Sequence, residues 1–302
     1  MNTEDNTTST FSRRRLLKLG TAAMVAGLPG RGQAKEKSEY LFGSYVRPWN
    51  RWDYKTALDG VAEAGFQYAG LMRTKEGHVV HANASPEKVR EVAGAVKDRG
   101  LKTISLYGGQ FGADRSLEEG IQGLRRLIDC CGLLDCPNLL LGGTGKEDVF
   151  DQYYKAVQEN CGYAAERGVV ITVKPHGGLN ATGSQLKRIV ERVNHKRFRV
   201  TYDPGNILHY SKGTADPVLE TGPVAGLVHS MCVKDYDPHK SVNVTPGDGL
   251  VDFKKVLTAL REGGFMGGPL ILETVAPAET PAQATSEAKK ALAFIKELVR
   301  AV

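Results

Sequence analysis

Four short stretches hold most of the residues that could do chemistry. They are "VKPH" (173–176), "TYDPGN" (201–206), "HSMCVKD" (229–235) and "LILET" (270–274). Each starts in an apolar run or beside one and then presents ionisable groups: Lys174 and His176, Asp203, Lys234 and Asp235, and Glu273. Cys232 and His229 lie just upstream in the third stretch. Carboxylates and imidazole are ligands for a divalent cation. The same groups can act as general acids and bases. A buried lysine can supply positive charge, or be tuned towards neutrality and act as a base. Side-chain alternation along a strand places Lys174 and His176 on one face, and Cys232 with Lys234 on one face. His229 has the opposite parity and reaches that face only through a bulge or if the strand starts later.

These stretches belong to a repeating pattern. Apolar runs at 40–46, 67–72, 102–107, 138–143, 169–174, 199–203, 227–235 and 270–274 alternate with amphipathic stretches. The helices are expected to begin near Asp53, Ser85, Ser116, Asp148, Gly183, Asp216 and Asp252, several on a capping Asp or Ser. Eight such units predict an α/β fold, a (β/α)₈ barrel. A doubly wound open sheet is the alternative. The chain lacks a Gly-rich nucleotide loop, because "GGTGKED" (142–148) has neither the spacing nor the following Ser/Thr. In a barrel the chemistry sits where the strands end, and the polar groups concentrate there.

In that order and spacing, "TYDPGN", "CVKD", "TPGDGLVDF" (245–253) and "LILET" resemble the xylose isomerase-like barrels. That family includes sugar and sugar phosphate isomerases and epimerases, inosose dehydratase and apurinic endonucleases. The resemblance covers most of residues 40–300. It implies one divalent ion (Mn²⁺, Mg²⁺, Co²⁺ or Zn²⁺) held by Glu, Asp, His and Glu from the fifth to eighth units, polarising a sugar carbonyl. Asp203 and Glu273 match two ligands. The fifth-unit Glu falls on Lys174, and the seventh-unit His falls on Cys232. A shifted ligand set would draw on Asp203, Glu273, His176 and either His229 or Cys232. Glu273, Lys174 and His176 are the expected catalytic groups. Trp49, Arg73, Asn206, His209, Lys234 and Asp235 are the expected substrate contacts, with Trp49 stacking on a sugar face and Arg73 suiting a phosphate or carboxylate. The implied activity is isomerisation or epimerisation of a sugar or keto-sugar. Water loss, or binding by a degenerate site, are the alternatives.

Residues 1–34 are set apart from the barrel domain, 35–302. "SRRRLLKLG" followed by "TAAMVAGLPG" and a small-residue cleavage site reads as a twin-arginine-type signal peptide rather than a membrane span. The expected partner is the twin-arginine export machinery, and the expected location is the periplasm. This segment carries five basic and two acidic residues, so the remainder holds +3 of the net +6. That small charge gives no footprint for nucleic acid. The five cysteines form no CxxC pair and are expected to be free.

Overall fold

The alternation predicted from sequence closes on itself. The computed structural model describes residues 39–302; the signal peptide expected at 1–34 lies outside the described residues. The barrel strands are β1 (Tyr40–Tyr45), β2 (Tyr68–Leu71), β5 (Lys102–Leu106), β6 (Asn138–Leu141), β7 (Val170–Val173), β8 (Phe198–Tyr202), β9 (Val228–Val233) and β10 (Gly268–Leu272), parallel in that order, with β10 pairing back onto β1. Between β2 and β5, β3 (Arg73–Thr74) and β4 (Gly77–His78) form a small antiparallel hairpin. The helices are α1 (Tyr54–Glu63), α2 (Pro86–Lys97), α3 (Leu117–Leu133), α4 (Glu147–Glu166), α5 (Gly183–Val193), α6 (Pro204–Tyr210), α7 (Phe253–Glu262) and α8 (Pro281–Arg300). This is a (β/α)₈ barrel.

Local chemistry explains where the helices begin. The side chains of Asp53, Ser85, Ser116 and Asp252 accept from backbone N–H groups of α1, α2, α3 and α7, which would otherwise lack partners. Thr182 and Thr280 add reciprocal capping boxes with Gln185 and Gln283. One expectation fails. No α-helix starts at Asp216; a 3₁₀ turn at Leu219–Val224, containing Pro223, takes its place. The helix of that unit begins earlier, at Pro204, with Asp203 as its cap.

The barrel interior is partly polar. Tyr45 donates to Ser105, Asn138 to Ser105, Thr172 to Asn138 and Thr201 to Thr172, while Thr201 and Ser230 share a bond of 2.7 Å. All six residues are fully buried. They form a hydrogen-bonded belt from β1 across β5, β6, β7 and β8 to β9. Thr172 precedes Lys174 by two residues, Thr201 precedes Asp203 by two, and Ser230 precedes Cys232 by two. Alternation therefore sets the belt one layer below the groups at the strand ends. Satisfied polar pairs of this kind avoid the cost of burying a lone hydroxyl.

Beyond β9, Asp235 ties down a loop. Its carboxylate accepts from the backbone N–H groups of Tyr236, Gly247, Gly249 and Val251 at 2.8–3.0 Å. With its acceptor capacity turned to the backbone, Asp235 is a loop anchor, and its expected role as a substrate contact is corrected. Asp235→Ala should lower stability by about 3 kcal/mol or more, since several charge-assisted bonds are lost together. Urea unfolding would measure the loss, and limited proteolysis should cut first within residues 245–251.

Candidate active site

Four charged side chains meet where β7, β8, β9 and β10 end. Lys174 donates to Glu273 Oε2 at 2.7 Å and to Asp203 Oδ2 at 3.2 Å. Lys234 donates to Glu273 Oε1 at 2.6 Å and to Asp203 Oδ2 at 3.2 Å. The result is a closed ring of alternating sign: Lys174, Asp203, Lys234, Glu273. None of the four is more than 2% exposed. Lys234 also donates to Asn206 Oδ1 at 3.0 Å, so each of its three N–H groups has an acceptor. The Asn206 amide in turn donates to the Pro175 carbonyl at 2.7 Å, and Asp203 Oδ1 caps the Asn206 N–H. Arg47, just after β1, lies over the ring and donates to Glu273 Oε1.

The ring sets the charge states. Burial alone would raise the pKa of Glu273, but Lys174, Lys234 and Arg47 outweigh it and hold the carboxyl well below its usual range. Burial disfavours the Lys174 ammonium, yet Glu273 and Asp203 lift its pKa well above the ordinary lysine value. For Lys234 the balance goes the other way. Burial, together with Lys174 and Arg47, lowers its pKa despite the two carboxylates. Three cations face two anions here, and Lys234 is the ammonium least favoured by that arithmetic. The sequence had pointed to Lys174 as the tunable lysine. The structure keeps Lys174 charged.

Asp203, Cys232 and Glu273 each offer a ligand atom within 4.8 Å of the others. The donor set nevertheless does not fit the divalent ion that the sequence resemblance implies. Two ammonium groups and a guanidinium are bonded to the carboxylate oxygens an ion would need. Burial and Glu273 push the Cys232 thiol well above its usual pKa, which opposes the thiolate form that binds metal. His176 and His229 do not join the cluster.

The other expected residues divide by position. His176 stands at the mouth, exposed, with its ring 5.5 Å from that of Tyr210. Partial burial of the ring, then Lys174 and Lys234, depress its pKa to about 4, so it is a neutral imidazole at pH 7. His209 packs on Tyr210 at 4.8 Å and bonds Ser241 at 2.9 Å. Burial first and Lys234 next lower its pKa, which places it within reach of the ring's field. His229 is corrected as a ligand. The pairing of β8 and β9 shifts so that Val200 meets Val228 and Thr201 meets Ser230, leaving His229 as the extra residue of a bulge. It lies near the start of β9, where burial, Arg199 and Arg197 depress its pKa to about 4. Trp49 is corrected as a stacking residue. It is fully buried, bonds Thr285 at 3.2 Å, and packs on Gly60, where any added Cβ would lie 2.2 Å from the indole nitrogen. Arg73 is exposed on the β3–β4 hairpin, opposite His78. All five cysteines are free and buried. The site residue missing from the expected set is Arg47. Its signal was an arginine directly after the buried run of β1, in "SYVRPW".

The sequence profile described as xylose isomerase-like TIM barrel matches residues 58–298. The chain belongs to that family. No curated protein sequence matches it. Among solved structures, D-psicose 3-epimerase from Clostridium cellulolyticum H10, with D-tagatose, superposes with a TM-score of 0.69 at 14% identity, covering 85% of this chain and 99% of that one. D-allulose 3-epimerase from Methylomonas sp., in complex with D-allulose, gives 0.66 at 17%, covering 86% and 97%. The 3-keto-D-glucoside 4-epimerase from E. coli gives 0.64 at 17%, covering 86% and 100%. At these identities the likeness concerns the fold.

If the two ammonium groups displace the ion, restoring ligands should restore binding. The wild-type chain should take up no stoichiometric Mn²⁺ or Zn²⁺ in calorimetric titration. Lys174→Glu combined with Cys232→His should bind one ion per chain. Tight one-to-one binding by the wild type would show that the ring opens for metal.

Proposed function

We propose that this xylose isomerase-like barrel is a sugar isomerase or epimerase that moves a proton on the carbon beside a carbonyl. Protein cations supply the positive charge in place of a bound ion. The observation that carries this reading is the Lys174–Asp203–Lys234–Glu273 ring with Arg47 over it, at the end of the barrel where such enzymes work. The carbonyl of a keto-sugar would lie against Arg47, backed by the two ammonium groups. Fixed positive charge in a poorly solvated site stabilises a developing enediolate more than it stabilises the ketone. His176, neutral and exposed at the mouth, is the group placed to accept the proton. Asn206 holds Lys234 in position through its bond at 3.0 Å. The epimerase structures that share the fold support sugar as the substrate class. Elimination of water from the same enediolate would make the chain a dehydratase, with the proton step unchanged.

Exchange of substrate hydrogen with solvent tests the proposal without knowledge of the product. Keto-hexoses and keto-glycosides incubated in D₂O should gain deuterium beside the carbonyl, as read by NMR. Arg47→Met and His176→Asn should each slow this by about two orders of magnitude. A panel of sugars that bind but show no exchange would instead make this a sugar-binding protein.

We also propose that the chain is exported by the twin-arginine route. The support is the order Ser12-Arg13-Arg14 followed by Leu17-Lys18 and an apolar stretch. Replacing Arg13 and Arg14 by Lys should retain the protein in the cytoplasm on cell fractionation; unchanged export would remove this reading.

A further inference from the structure

Beside the ionic ring, the loops after β1, β9 and β10 enclose a cleft of about 230 Å³. Arg47, Asn50, Arg51, Asn243 and Thr274 are its polar side chains, and no carboxylate lines it. Every one of them can donate a hydrogen bond. Arg51 is held by the Ala278 carbonyl at 2.9 Å and by Glu279 at 3.1 Å, a pair in which both side chains are more than half exposed. Such a pair is weak, so the guanidinium is open to a better acceptor. Thr274 is 4% exposed, and its hydroxyl has no partner among the described residues. A buried hydroxyl left without a partner is unfavourable. The volume falls short of the roughly 300–1,000 Å³ of sites that enclose a whole drug-sized molecule. It suits one end of a molecule.

We propose that this cleft is a subsite for an oxyanion, a carboxylate or a phosphate ester, carried by the sugar substrate. The inference rests on the sugar-processing reading above and names the substrate class more closely. Charge balance supports it: Lys174, Lys234 and Arg47 face Asp203 and Glu273, and one added anion completes the count. Arg47 belongs to both places, because it lines the cleft and bonds Glu273. An oxyanion in the cleft competes with Glu273 for that guanidinium.

Calorimetric titration of the full chain at low ionic strength, with inorganic phosphate, D-glucuronate and D-glucose, tests the subsite. At least one of the two anions should bind more tightly than glucose. Phosphate binding alone would identify a phosphate ester, and glucuronate binding alone a carboxylate. Arg51→Gln and Asn243→Asp, both at exposed positions, should each weaken anion binding roughly tenfold or more while leaving glucose unaffected. Arg192→Gln, on α5, should change nothing. No preference for either anion, or full binding in both cleft variants, overturns the proposal. The readout is binding alone. A chain that holds anions through Arg51 yet shows no hydrogen exchange loses the proposed activity and keeps the subsite.

Discussion

The buried ring of two lysines and two carboxylates governs the mouth of this barrel. Taking four charges out of water costs several kcal/mol for each ion, and only close contacts of opposite sign offset that cost. The ring meets the condition by alternation, with every ammonium bonded to both carboxylates. Its geometry is consequently all-or-none. Removing one member leaves its neighbours buried and unpaired, a loss of about 3–5 kcal/mol in comparable cases. The hydroxyl belt beneath, from Tyr45 to Ser230, gives the ring a polar floor rather than a hydrocarbon one.

Within the xylose isomerase-like scaffold, the change of chemical character is concentrated at two positions. Lys174 and Cys232 stand where the family resemblance leads one to expect an anionic and an imidazole ligand. The first substitution adds positive charge and the second removes a donor that is effective near neutrality. Asp203 and Glu273 remain, but their oxygens serve ammonium groups. On the proposed reading, positive charge at the centre of the site is carried by the covalent chain rather than by an exchangeable ion. An ammonium charge is weaker and more directional than a divalent ion, which makes the additional guanidinium of Arg47 relevant.

Much of this was legible in the sequence because strand alternation and helix caps are local. The eight apolar runs, the caps at Asp53, Ser85, Ser116 and Asp252, and the shared parity of Cys232 with Lys234 need only neighbouring residues. Lys174, Asp203, Lys234 and Glu273 were legible for the same reason: each ends an apolar run. What the sequence could not give depends on partners distant along the chain. Trp49 looked like an aromatic at a strand end, yet its indole packs against α1 and α8. Asp235 looked like a rim charge, yet its acceptors are filled by amides 12 to 16 residues later. Arg47 and Glu273 are 226 residues apart, so no local pattern joins them. The bulge at His229 arises from a pairing shift between two strands, which is a property of the sheet.

Asp203 holds two positions at once. One carboxylate oxygen accepts both ammonium groups, and the other caps the first turn of α6. That helix has only seven residues and ends in His209 and Tyr210, two of the groups that stand around the mouth. So short a helix has little cohesion of its own and relies on its cap. The charge ring and the first turn of α6 therefore share one carboxylate. A rotation of the Asp203 carboxylate would remove the cap of α6, and with it the support of His209 and Tyr210 at the mouth.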